Sequence, residues 1–168
     1  MGTVNAIKDD PGLGACHFRA SNTWLSGAHN RSQVTEFHGA RQDIAHKHSF
    51  RMDADEPAIL AGGDNAANPV EHLLHALASC LTTSMVAHAA VRGIDIEAMR
   101  SELEGDLDLR GFLGLADEVP KGFTAIRAKF HVKTTPGDLS RIRELAAFSP
   151  VFNTLAQGTR VDVQVEAA

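Results

Sequence analysis

Two side chains in this sequence offer a soft, oxidisable nucleophile, Cys16 and Cys80. Cys80 falls in the run HALASCLTTS, with the small neighbours Ala76, Ser79, Thr83, Ser84 and Ala87 around it. A thiol in such a place either packs as a small hydrophobe or, where its thiolate form is favoured, attacks an electrophile such as a peroxide oxygen or an acyl carbon. The residues alone leave both readings open. Cys16 opens a strand-like run far from Cys80, and two thiols so separated read as free rather than bridged.

Other chemistries have less to work with. Nine histidines invite a metal, with His46-x-His48 able to share one face of a strand and His72 and His75 spaced i, i+3 on a helix. No Cys/His/acid quartet stands at zinc-like spacing, so these histidines read as surface or interface side chains and no metal is expected. A hydrolase would want a G-x-S-x-G turn, which is absent. Gly62-Gly63 lacks the spacing of a dinucleotide or phosphate loop, so no cofactor is expected either.

The element that must hold Cys80 is the clearest in the chain. Asn68 suits an N-cap, Pro69 the first helical position, and Glu71 the reciprocal place of a capping box. A helix from Pro69 to about Val91 then ends at Gly93, a residue suited to the left-handed stop. From Ala76 to Val91 it carries no charged side chain. A helix apolar all round is buried all round. One small sheet cannot cover it, so a second layer from another subunit is expected.

Around this helix the sequence predicts strands at about 16–25, 31–38 and 47–54, joined as a meander. Two more are predicted at about 97–109 and 124–134, the second alternating Ile126, Ala128, Phe130 and Val132 with charged residues. An amphipathic helix at about 138–148, a short turn or helix to Leu155 and a valine-alternating strand at 160–166 complete a βββ-α-ββ-α-β order. That clustering is α+β rather than doubly wound. Residues 1–15 read as a flexible lead-in without an element, and 16–168 as a single domain.

Composition narrows the function classes. Sixteen basic against twenty-one acidic residues give a net charge of −5, which offers no footprint for nucleic acid or an anionic membrane surface. No stretch reads as a signal peptide or approaches the apolar length of a membrane span, so a cytoplasmic protein is expected.

The run Asn68-Pro69-Val70-Glu71-His72-Leu73-Leu74, followed by Ala76-Leu77-Ala78-Ser79-Cys80, resembles the signature of the OsmC-like family of osmotically inducible and organic hydroperoxide resistance proteins. There a Pro starts the central helix and a Cys lies eleven residues later. Further matches are ARQDIAHKHSFRMDADEPAILAGGD, Arg92-Gly93-Ile94, GDLDLRGFLGL and SPVFNTL, so the likeness covers nearly everything from residue 17 on. It implies an intertwined homodimer, two long central helices wrapped by sheets from both subunits.

The resemblance also implies roles. In the peroxidase branches the helix Cys attacks a hydroperoxide as thiolate, becomes a sulfenic acid and is resolved by a second Cys, while an Arg and a Glu hold the thiolate. Cys80 matches the reactive position. Ser149, before Pro150, occupies the resolving position, so an external thiol reductant must do that work. The family's Arg falls best on Arg31 in GAHNR, with Arg41 and Arg51 as fallbacks. Its Glu follows the Pro directly, where this chain has Val70. Glu71 lies nine residues before Cys80, about 180° round the helix, which suits capping or a partner's site better than its own subunit's thiol. The expected function is hydroperoxide reduction through Cys80. The alternatives are a non-catalytic dimer binding an apolar small molecule at its interface, and single-Cys acyl transfer.

Overall fold

A computed structural model of the chain describes residues 2–167, which form two compact units, one up to Glu71 and the other from His72 on. The first begins with a difference from the sequence reading: Gly2–Asp9 is a helix, α1, followed by a 3₁₀ turn at Pro11–Gly14. Asp10 organises the join, accepting from the Gly12 amide at 3.1 Å and from Arg41 at 2.7 Å.

Four antiparallel strands follow, β1 (His17–Phe18), β2 (Ser21–Ser26), β3 (His29–Gly39) and β4 (Gln42–Ala54). The strand expected at 16–25 is broken at Arg19–Ala20 into β1 and β2, and both pair with β3, where Phe18 faces Phe37 and Ser21 faces Gln33. β4 lies on the other edge of β3 and starts five residues earlier than the sequence suggests. The reason is a two-residue turn in which Ala40 (φ 48°) and Arg41 (φ 62°) are both left-handed. That geometry matches the twist of a hairpin but is usually signalled by Asn-Gly or Gly-Gly.

The segment after β4 has order that its composition conceals. Asp55 is buried and accepts from the Glu56 amide at 2.8 Å, the Gly63 and Asn65 amides at 3.1 Å, and the Asn65 side chain at 2.7 Å. Gly62 lets the loop close: a Cβ there would lie 1.8 Å from the Glu56 carbonyl oxygen.

Helix α2 (Pro69–Val91) begins as expected. The Asn68 side chain accepts from the Glu71 amide at 2.9 Å, and the Glu71 carboxylate accepts from the Asn68 amide at 2.8 Å. This is the reciprocal capping box. At the other end Gly93 turns left-handed (φ 67°) and the Ile94 amide returns to the Ala89 carbonyl at 3.0 Å.

In the second unit β5 (Ile96–Asp106) leads through a short helix, α3 (Leu109–Phe112), to β6 (Ala125–Thr134), with which it pairs. Helices α4 (Leu139–Glu144) and α5 (Pro150–Gln157) follow, linked by a 3₁₀ turn. The stripe Leu77, Leu81, Met85 and Ala89 on α2 buries itself with Ile94, Ile142 and Leu145, and Met99, Leu103, Ile126, Phe130 and Val132 of the two strands pack on that cluster. The opposite face of α2, with His75, Ser79, Thr83, Val86, Ala87 and Ala90, is exposed.

Two sequence readings need correction. The strand expected at 160–166 is not formed: those residues lie outside any strand, and Val161, Val163 and Val165 are exposed. Alternation supplies a strand's faces but not the neighbour whose amides and carbonyls it needs. Also, α2 is by length and composition apolar enough to cross a membrane, because it is free of charge from Ala76 to its end. Here its buried stripe is the core of the second unit.

Asp55 yields a prediction. Burial works to raise its carboxyl, but the bonds from Asn65, Glu56 and Gly63 outweigh it and hold the group below the usual carboxylate range. A depressed carboxylate contributes stability that is complete above about pH 4 and is lost as pH falls through the lower folded value. Asp55→Asn is expected to melt below wild type at neutral pH, with the gap closing on acidification. Melting curves from pH 7 to 3 that show a constant gap would contradict this assignment.

Candidate functional site

Cys80 sits midway along α2, half-buried, one residue from the core position Leu81. The side chain that meets it comes from the start of α5. The Ser149 hydroxyl donates to Cys80 Sγ at 3.1 Å. Ser149 has no exposed surface, and its oxygen accepts from the Phe152 amide at 3.2 Å as the N-cap of α5. Ser followed by Pro is what a helix start calls for, so the capping role of Ser149 follows from local chemistry. Asn153 adds a second tie, donating through its side chain to the Ser149 carbonyl at 2.8 Å and the Ala147 carbonyl at 2.9 Å.

The preceding residue is clamped too. The Phe148 ring stacks on His88 with centroids 4.1 Å apart, and the Arg92 guanidinium lies 5.1 Å from the same ring. Arg92 also donates to His88 Nδ1 at 3.0 Å. An arginine only donates, so in this contact His88 Nδ1 is the acceptor. Cys80, Ser84 and His88 recur every four residues as one stripe along α2, and Arg92 follows at the same spacing just past its end. The 148–149 segment is thus pinned to that stripe at two points, by a hydroxyl on the thiol and by a ring on the histidine. Sequence reasoning singled out neither Phe148 nor His88; the N-cap signature Ser-Pro was the available signal for the segment.

Beside this segment, Phe152 lines a cavity of about 510 Å³ together with Leu81, Met85, Phe130 and Ile142, while Lys129 and Arg143 add positive charge to its wall. Its size and lining suit a mostly apolar small molecule.

The other sequence candidates have partners of their own. Arg31 lies in the first unit, on β3, where it grips Asp53 of β4 with two bonds, Nε to Oδ1 at 2.6 Å and Nη2 to Oδ2 at 2.7 Å. His29 adds a third contact to Asp53 at 3.0 Å. The Arg31 bond, with that from His29, holds the Asp53 carboxyl well below its ordinary range, and the same pairing raises Arg31. Asp53 was not recognisable as its partner before the register was known. Arg41 reaches Asp10, and Arg51 stands opposite Gln33 on the sheet. The Glu71 carboxylate is engaged in the capping box. Cys16 is exposed in the first unit, while His46 packs between Phe37 and Phe50. Among the described residues, no three His, Cys, Asp or Glu side chains converge as a metal would need.

Comparison with known proteins comes from two directions. Residues 62–164 match the family model described as OsmC-like protein. Among solved structures the fold is similar to an OsmC-like protein of Mycoplasma pneumoniae, with 17% identity, a TM-score of 0.59 and coverage of 84% of this chain and 87% of that one. It is similar to an organic hydroperoxide resistance protein, OsmC, of Legionella pneumophila, with 17% identity, a TM-score of 0.56 and coverage of 82% and 89%. An OsmC-like protein of Vibrio cholerae gives 15% identity, a TM-score of 0.56 and coverage of 82% and 92%. No curated protein matches the sequence.

The Cys80–Ser149 geometry can be tested by restoring a thiol. With Oγ 3.1 Å from Sγ, Ser149→Cys is expected to form a disulfide between Cys80 and the introduced thiol on mild oxidation, seen as a dithiothreitol-reversible loss of both thiols and a linked peptide in mass spectrometry. Two thiols that stay separately alkylatable after oxidation would show that the segment does not hold this position.

Proposed function

The chain is a member of the OsmC-like protein family, and on that footing we propose that it reduces organic hydroperoxides through Cys80, with an external thiol as resolver. The observation that carries this is the neighbour of the thiol. Within bonding reach of Sγ stands a serine hydroxyl rather than a second thiol, and Cys16 is exposed.

The reaction balances as follows. Cys80 thiolate bonds to the terminal oxygen of ROOH, the O–O bond breaks, and the leaving alkoxide takes a proton to give ROH and Cys80 sulfenic acid. One external thiol condenses with the sulfenic acid, releasing water and forming a mixed disulfide. A second attacks that disulfide and frees Cys80. Oxidative-stress defence in a cytoplasmic setting fits this scheme, since two unpaired cysteines and a thiol reductant both belong to a reducing compartment.

The working molecule in this reading is a single OsmC-like domain, residues 16–168, functioning as a homodimer. Support comes from apolar surface left uncovered: Val86 and Ala87 on α2, Phe18, Trp24 and Phe50 on the first sheet, and the valines near the C-terminus. In that dimer Arg31, oriented by Asp53, serves as the cation that favours the thiolate, and Glu71 belongs to the surroundings of the partner's thiol.

A second reading rests on the cavity at Phe152. Its apolar walls and two cations would suit a binding or scavenging protein whose Cys80 is only a packing residue.

One experiment decides between these readings and a second tests the dimer. Wild type, Cys80→Ser and Arg31→Ala are treated with cumene hydroperoxide and read by intact mass with dimedone trapping. Fast sulfenic acid formation is expected in wild type, none at residue 80 in Cys80→Ser, and at least about tenfold slower formation in Arg31→Ala. An inert wild-type thiol hands the case to the binding reading, and an unimpaired Arg31→Ala removes that residue's role. Sedimentation equilibrium is expected to give twice the chain mass for wild type and monomer for Ala87→Glu, which places a charge on the uncovered helix face. A monomeric wild type would rule the dimer out.

A further inference from the structure

We infer that Ser149 is a positioning residue for Cys80, its hydroxyl proton being directed at the sulfur, so that the position which resolves the thiol elsewhere serves here to hold it for attack. This rests on the reading of Cys80 as the peroxide-reducing thiol.

The direction of the proton follows from counting. A serine hydroxyl has one proton and two lone pairs. The Phe152 amide, a pure donor, occupies one lone pair at 3.2 Å, and the attacking thiolate has no proton to give, so in that form the hydroxyl is the donor across the 3.1 Å contact to sulfur. With no surface exposed at Ser149, water does not compete for it. The hydroxyl oxygen cannot easily swing away from the sulfur, because doing so breaks the α5 cap. Its backbone is held by Asn153 and its neighbour Phe148 is stacked on His88.

A donor fixed in this way does two things for the reaction. It places positive character against the sulfur where negative charge resides in the attacking thiolate, in surroundings where such a bond is strong. It also occupies one side of the sulfur and leaves the others to the peroxide, so the thiolate is oriented as well as stabilised. Because an alcohol is not oxidised by the sulfenic acid, the donor survives every turnover unchanged. A cysteine here would be consumed in a disulfide each time.

The test separates hydrogen-bond donation from helix capping. Glycine is tolerated at an N-cap nearly as well as serine, and threonine caps and donates. Cys80 oxidation by cumene hydroperoxide is timed by rapid quench in wild type, Ser149→Gly and Ser149→Thr, each checked by a melting curve. The expected order is Ser149→Gly slower by about tenfold or more, the scale of one hydrogen bond to a charged group, with Ser149→Thr recovering most of the loss. A Ser149→Gly protein as fast as wild type, or a folded Ser149→Thr as slow as Ser149→Gly, overturns the inference. The Raman S–H band of Cys80 in a Cys16→Ser background gives a reading independent of catalysis, expected to move in Ser149→Gly; an unmoved band also overturns it. A wild-type thiol inert to peroxide, with the band shift present, instead removes the reading on which the inference rests.

Discussion

From Ala76 to Val91 the chain runs through sixteen helical residues without a formal charge, and a surface of that kind has to be covered. Burial of one Leu or Met side chain is worth roughly 1.5–3 kcal/mol, and the stripe of Leu77, Leu81, Met85 and Ala89 lies at the centre of the cluster that fastens the second unit together. It draws in Ile142 and Leu145 from the helical segment and the inward faces of β5 and β6. That same packing brings the 148–149 segment onto Cys80. Core packing thus brings the segment to the thiol, and the Ser149 cap and the Phe148–His88 stack hold it there.

What could be read from the amino acids follows this division. The ends of α2 were legible because capping is local: Asn68, Pro69, Glu71 and Gly93 each do what their chemistry allows within one turn. β6 was legible because Ile126, Phe130 and Val132 alternate with charges over a pair that has one wet face. The βββ start was legible in kind but not in register, since the turn at Ala40–Arg41 has none of the residues that announce a left-handed hairpin. Asp55 was invisible for another reason. Nothing in a sequence distinguishes an aspartate that will gather four donors from one that will face water. The terminal valine run shows the converse failure, a strand pattern without an edge to join in this chain.

The site divides in a similar way. Cys80 stood out by its setting, and Ser149 by the likeness to a family pattern rather than by anything in its own surroundings. The clamp of Phe148 on His88 and Arg92 was not foreseeable, because a ring stacked on a histidine far off in sequence leaves no periodic trace. Yet that stack keeps the cap residue beside the sulfur. Arg31 was singled out through the family pattern alone, and what orients it, Asp53 across the strand pair, emerged only from the pairing register.

The Ala40–Arg41 turn carries a cost of about 1–2 kcal/mol per residue for its left-handed backbone, with no glycine to relieve it. What is obtained in exchange is reach. Because Arg41 is turned outward at the tip of the hairpin, its guanidinium meets Asp10 at 2.7 Å, and Asp10 is also the residue that ends α1 and starts the following 3₁₀ turn. The hairpin tip thus acts as a latch for the first residues of the chain. Backbone strain stored at one end of the sheet tethers a segment that has no buried side chain of its own, and replacing the tip by the relaxed Asn-Gly pair would stiffen the hairpin while setting that segment loose.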